Sequence, residues 1–129
     1  MPMCIAVTDE SGNLVVFERM DGGKISSITI AIDKAFTTAA AKKATHEYGA
    51  ASQPGARAFG INTALGGRLM VVGGVLPTED GTAVAGAIGE SSGIPAQDLE
   101  VAQAGVDAST RTRPTDFVVA TDSIGIDVD

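Results

Sequence analysis

A single imidazole sets the limit on the chemistry this chain can do. His46 is the only histidine in 129 residues, so a multi-histidine metal site is excluded within one chain. The residue types for a serine–histidine–aspartate arrangement are all present. A neutral imidazole is a proton-transfer group and a strong metal donor near neutral pH. In Thr45-His46-Glu47 it is either such a donor or a polar residue on the outer face of a short helix. Met20, Met70 and Tyr48 are weaker donors, and packing is the commoner task of the two methionines. Cys4 is weaker again. As the sole cysteine it has no internal partner, and it is expected as a reduced thiol in a strand.

Two further constellations can bind an anion. Gly73-Gly74 and the run Gly86-Ala87-Ile88-Gly89-Glu90-Ser91-Ser92-Gly93 expose backbone N–H groups where the chain turns tightly, and the Ser91 and Ser92 hydroxyls add donors. The spacing fits neither a dinucleotide nor a Walker loop. Tight turning and close helix–sheet packing explain the same glycines without a ligand. Arg19, Asp21 and Lys34 form the other group. The Arg19 fork, at a strand end, can reach a carboxylate. A structural ion pair or a subunit contact accounts for these charges equally well. No pair of carboxylates can be assigned to one acid–base site from spacing.

The elements that must position these groups follow from periodicity. Residues 4–8 and 14–20 are rich in β-formers and flank the turn cluster Asp9-Glu10-Ser11-Gly12-Asn13, which predicts a hairpin. From Ser26 the period changes: Ile28, Ala31, Ile32, Ala35, Phe36, Ala39 and Ala40 recur at helical spacing, predicting a helix over 27–43. Residues 45–51 read as a short second helix that ends before Pro54. Residues 56–66 read as loop. Strands are expected at 68–72 and 83–89, with a turn at 79–81. A helix is expected from Pro95, with Leu99, Ala102 and Val106 as its buried stripe. It breaks at 111–114, and Phe117-Val118-Val119-Ala120 reads as an edge strand. The order ββ-α-α-ββ-α predicts an α+β fold, a central antiparallel sheet with helices packed on one face.

Composition narrows the partners. At 44% hydrophobic and 19% charged the chain is a folding globular sequence, and its few aromatics leave Ala, Val, Ile and Leu to build the core. A net charge of −7 without a Lys/Arg stripe argues against nucleic acid and anionic membranes. No apolar run reaches the roughly 20 residues of a membrane span. No charged segment leads an apolar one at the N-terminus, so a cytoplasmic location is expected.

The series Leu14-Val15-Val16-Phe17-Glu18-Arg19-Met20-Asp21-Gly22, Ile32-Asp33-Lys34-Ala35-Phe36-Thr37-Thr38-Ala39, Gln53-Pro54-Gly55, Gly73-Gly74, Gly86-Ala87-Ile88-Gly89 and Gln97-Asp98, followed by Ala102-Gln103-Ala104-Gly105, resembles the GlcG/HbpS family, which includes the C-terminal domain of PduO. The resemblance implies a domain over 1–109 with a profilin/PAS-like layer arrangement, and a C-terminal extension over 110–129. It implies dimers or larger rings, octamers among them, and a small-molecule ligand that in several members is haem. His46 then becomes a haem axial ligand, and Arg19 a partner for a propionate. The implied ligand-binding set is Arg19, Asp21, Lys34, His46, Gly73, Gly74, Ser91 and Ser92. Family members carry a further helix before the first strand, so here a partner chain or the tail is expected to cover the apolar surface that helix would cover. Three functions fit: a haem-binding or haem-sensing oligomer, an enzyme or accessory protein for a small organic acid or aldehyde, and a scaffold whose assembly is its task.

Overall fold

The computed structural model describes residues 2–80 and 83–111. Four strands form one antiparallel sheet in the order β2-β1-β4-β3: β1 (Cys4–Asp9), β2 (Leu14–Arg19), β3 (Val75–Asp80) and β4 (Ala83–Ser91). Four helices accompany it: α1 (Ser26–Ala41), α2 (Thr45–Ala51), a single turn α3 (Ala64–Gly67), and α4 (Pro95–Arg111). The fold is α+β, as the order of patterned segments predicts. The expected strand at 117–120 and the extension beyond 111 lie outside the described residues.

The first hairpin forms because Asp9 organises its own turn. Its carboxylate accepts the Ser11 and Asn13 amides, each at 2.9 Å, and Gly12 turns with φ +82°. Those bonds hold the Asp9 carboxyl below its ordinary range, the Asn13 amide most of all. Gly12 also sits against the Phe36 ring of α1, which fixes the hairpin to the helix.

One face of the sheet is built for α1. Register places Ala6 opposite Gly89 and Thr8 opposite Ala87, while Val75 faces Gly89 from the other side. These small residues meet Ala31, Ala35 and Ala39, and all of the alanines named are buried. A Cβ on Gly89 would lie 2.8 Å from the Ala35 nitrogen and run into the Ala31 carbonyl oxygen, so the helix backbone rests directly on the strand. Period two then turns Ile88 to the opposite face. There it meets Gly105 of α4, whose missing side chain makes the room. The helical layer on one face is therefore joined by a second, α4 over the β3–β4 half.

The third strand lies later than the apolar run 68–72 suggests. Residues 68–74 are irregular, and the Met70 amide donates to the Thr37 hydroxyl at 2.9 Å instead of to a strand. Pairing begins at Val75 opposite Gly89. Pro77 disguised this strand, because proline cannot donate to a ladder. β3 is an edge strand, so Pro77 has an outward side on which no donor is needed.

The Gly89 contact gives a direct test. Gly89→Ala is expected to cost roughly 1–3 kcal/mol by forcing the backbone of α1 off the sheet. Urea unfolding measures it, and an unchanged midpoint would contradict the close approach.

Candidate functional site

Strand ends bring most of the expected residues to one end of the sheet. Arg19 closes β2 opposite Cys4, Cys4 lies opposite Ser91, and the Glu90 amide donates to the Gly74 carbonyl at 2.8 Å. At about 4.8 Å per strand, Arg19 and Gly74 stand roughly 14 Å apart across this end.

At its centre is a buried charge. Lys34 is on the apolar face of α1, one turn from Thr38 and beside Ala31 and Ala35, and is 1% exposed. Its ammonium Nζ donates to the Glu90 carbonyl oxygen at 2.7 Å and to Asp98 Oδ2 of α4 at 3.1 Å. Burial pushes the Lys34 ammonium below its usual range, and the Asp98 hydrogen bond and charge oppose that shift. Asp98 is 2% exposed and uses its other oxygen to accept the Gly93 amide at 3.0 Å. Gln97 likewise accepts the Ile94 amide at 3.1 Å. Together these two side chains satisfy donors that the start of α4 would otherwise leave orphaned.

Gly74 makes this approach possible. Its φ is +121°, and a Cβ there would lie 2.7 Å from Lys34 Nζ and collide with Asp98 Cβ. Only glycine fits. The Glu90 side chain, 2% exposed and on the α4 side of the sheet, shares the cluster. Its Oε2 is buried without a hydrogen-bond partner. Burial, followed by the Asp98 charge, raises the Glu90 carboxyl from 4.5 to about 8, with Lys34 acting in the opposite sense.

His46 occupies a different setting. It is exposed on α2, and the position that a Gly73 Cβ would take lies 3.6 Å from His46 Cβ and 3.8 Å from Pro95 Cβ. Gly73 thus lies between the His46 Cβ and the start of α4. Beside it in the chain Val72 is 42% exposed, and Ile94, next to Pro95, is 62% exposed. Gly49 presses on the Val71 carbonyl and fixes α2 against this segment.

The remaining expected residues divide as follows. Lys34, Gly73 and Gly74 join one neighbourhood with His46. Arg19 is exposed, with Nη1 donating to the Gly23 carbonyl at 3.2 Å. Asp21 is exposed in the turn after β2. Ser91 is buried opposite Cys4, and the Ser92 hydroxyl accepts the Lys24 amide at 3.2 Å with Ser92 at φ +107°. Glu90 and Asp98 were absent from the expected set. A charged residue on each apolar face, Lys34 beside Ala31 and Glu90 two residues after Ile88, was the available signal.

Two hollows lie elsewhere. One, of about 240 Å³, is lined by Leu76, Pro77, Glu79, Gln103 and Val106, below the usual range for an organic ligand. The other lies along the outer face of α4 alone. Among the described residues no group of three metal-ligating side chains occurs, and no helix is long and apolar enough to cross a membrane.

Comparison with known proteins identifies the family and matches the fold. The family described as haem degrading protein HbpS-like matches residues 1–107. An uncharacterised 15.0 kDa protein of Citrobacter freundii, from the dhaT-dhaS intergenic region, is 35% identical over 107 residues, 83% of this chain and 75% of that protein. The corrinoid adenosyltransferase PduO of the same organism is 32% identical over 84% of this chain, which spans only 32% of PduO. The crystal structure of a PduOC:heme complex superposes with a TM-score of 0.80 at 33% identity, covering 83% of this chain and 78% of that one.

Glu90 carries a pH prediction. Its carboxyl takes up a proton in the folded state at a pH where the unfolded chain has lost it, so its contribution is full below about pH 4.5 and is lost as pH rises to about 8. Unfolding free energy is expected to decline across that window, and Glu90→Gln to flatten the decline. An equal slope in the variant would show that Glu90 is not the group responsible.

Proposed function

The chain belongs to the HbpS-like family, and on that premise we propose that it binds haem, with His46 as the axial donor, in an oligomer that completes the site. The observation that carries the reading is an exposed His46 whose Cβ, like that of Pro95, borders Gly73, with exposed Val72 and Ile94 next in the chain to Gly73 and Pro95. A flat apolar macrocycle needs one strong donor on its iron and an apolar surface along its ring. This surface offers both, so the residues fit the group. Bound haem would supply an iron with redox and ligand-binding chemistry. The protein's part is to present the donor and to exclude water from one side of the ring.

The surface is open, which supports completion by a second copy. Leu14, Val15, Val16 and Met20 also stand 43–66% exposed at the β2 edge of the sheet. Successive residues of β2 face opposite sides of the sheet, so these side chains make an exposed apolar edge strand, a place where another chain can pair. Arg19, at the end of the same strand, is an exposed guanidinium that could meet a propionate. Lys34 is not, because its ammonium is enclosed and already bound to Glu90 and Asp98.

Several amides near the start of α4 are already spent within the protein. The Gly93, Ile94 and Lys24 N–H groups are taken by Asp98, Gln97 and Ser92, which leaves fewer donors for a small organic acid. The PduO activity concerns a chain of which this one spans only 32%, and nothing of that adenosyl transfer is carried over here.

Haemin added to the purified protein is expected to give a Soret band at a fixed stoichiometry. His46→Ala should shift that band and weaken binding on the order of tenfold or more. An unaltered band and affinity in the variant would remove His46 as the donor. Light scattering that finds only a monomer, with and without haemin, would remove the shared site.

A further inference from the structure

We propose that Lys34, Asp98 and Glu90 act as a latch that positions the His46 surface, held closed while Glu90 is protonated and released when Glu90 ionises. The proposal takes its candidate ligand from the haem reading but does not need that reading to be tested.

The geometry points this way because one ammonium joins elements from both faces of the sheet. Lys34 comes from α1, the Glu90 carbonyl from β4, and Asp98 from the first turn of α4. Asp98 also holds the Gly93 amide, so the segment Gly93-Ile94-Pro95 is tied to Lys34 through one side chain. Pro95 in turn borders Gly73, and Gly73 borders His46. The wall and floor of the imidazole surface therefore depend on where the Lys34 ammonium sits. Lys34 and Asp98 touch no ligand in this arrangement and are positioning residues.

Glu90 can move that ammonium. Its carboxyl is enclosed and its Oε2 has no partner. While protonated, it leaves Lys34 to Asp98. Once ionised, it is a buried anion that needs a cation. The groups facing it are few. α1 presents Lys34, α4 presents Asp98, β1 places Ile5 opposite it, and the chain leading into β3 places Gly74 there. Lys34 is the sole cation among them. Ionisation sets Glu90 against Asp98 for one ammonium, and the Asp98 tie to α4 weakens. Burial raises the carboxyl enough for this exchange to fall in the mildly alkaline range.

The test follows Gly73 and Gly93 amide resonances with pH in the complete chain, with hydrogen-exchange protection over residues 93–98. Both resonances should step together with a midpoint near 8. Protection, corrected for intrinsic rates, should fall about tenfold by about pH 9, where ionised Glu90 outnumbers protonated about ten to one. Glu90→Gln should remove both effects, and Glu90→Leu serves if the amide variant does not fold. Asp98→Asn should lower protection at every pH and leave no step. A step that persists in Glu90→Gln, or that reaches Gly93 and not Gly73, would overturn the latch. Haemin affinity is scored separately by the Soret band. Absence of binding would remove the haem reading while the resonance result still decides the latch. Haemin binding whose affinity does not fall with the step would overturn the positioning role.

Discussion

A lysine ammonium cannot be taken out of water alone. The cost of moving an ion into the interior is several kcal/mol even after relaxation, and it is offset only by close anions and carbonyl dipoles. Lys34 meets that condition with Asp98 and the Glu90 carbonyl. Much of the architecture answers to this one need. Gly74 must be a glycine so that the two side chains can meet, α4 must begin where Asp98 can reach, and β4 must end with its carbonyl turned to α1.

The same constraint separates the interior from the surface. The Lys34 and Asp98 charges are paired inside the protein, while His46, Arg19 and exposed aliphatic side chains stand outward. The residual oddity is Glu90, a carboxyl buried without a hydrogen bond. An apolar side chain would pack there more cheaply, which makes its presence an argument for use.

The sequence was most legible where one period ran unbroken. The β1–β2 hairpin and α1 follow from the turn cluster at 9–13 and the alanine spacing from 28 onward, and they stand within a few residues of expectation. β3 was displaced because Leu69 to Val72 carry the β-forming side chains while Pro77 sits in the true strand. Tertiary pairing with Gly89 outweighed local propensity. Of the candidate site, His46, Gly73 and Gly74 were visible as residue types. Their shared neighbourhood was not, because it depends on the path of residues 68–74. In the sequence Asp98 stands out only within the Gln97-Asp98 piece of the family-like series, and Glu90 only within a glycine-rich run. Pairing across more than fifty residues leaves no local pattern.

The account turns on whether one ammonium couples α1 to α4, and a double-mutant cycle with Lys34→Met and Asp98→Leu measures that coupling most directly. Each single change should cost about 3–5 kcal/mol in urea unfolding, because it strands the opposite charge in the interior. The double variant should cost clearly less than the sum, by about 1 kcal/mol or more. Costs that simply add would contradict the account, because the two side chains would then be stabilising the protein independently.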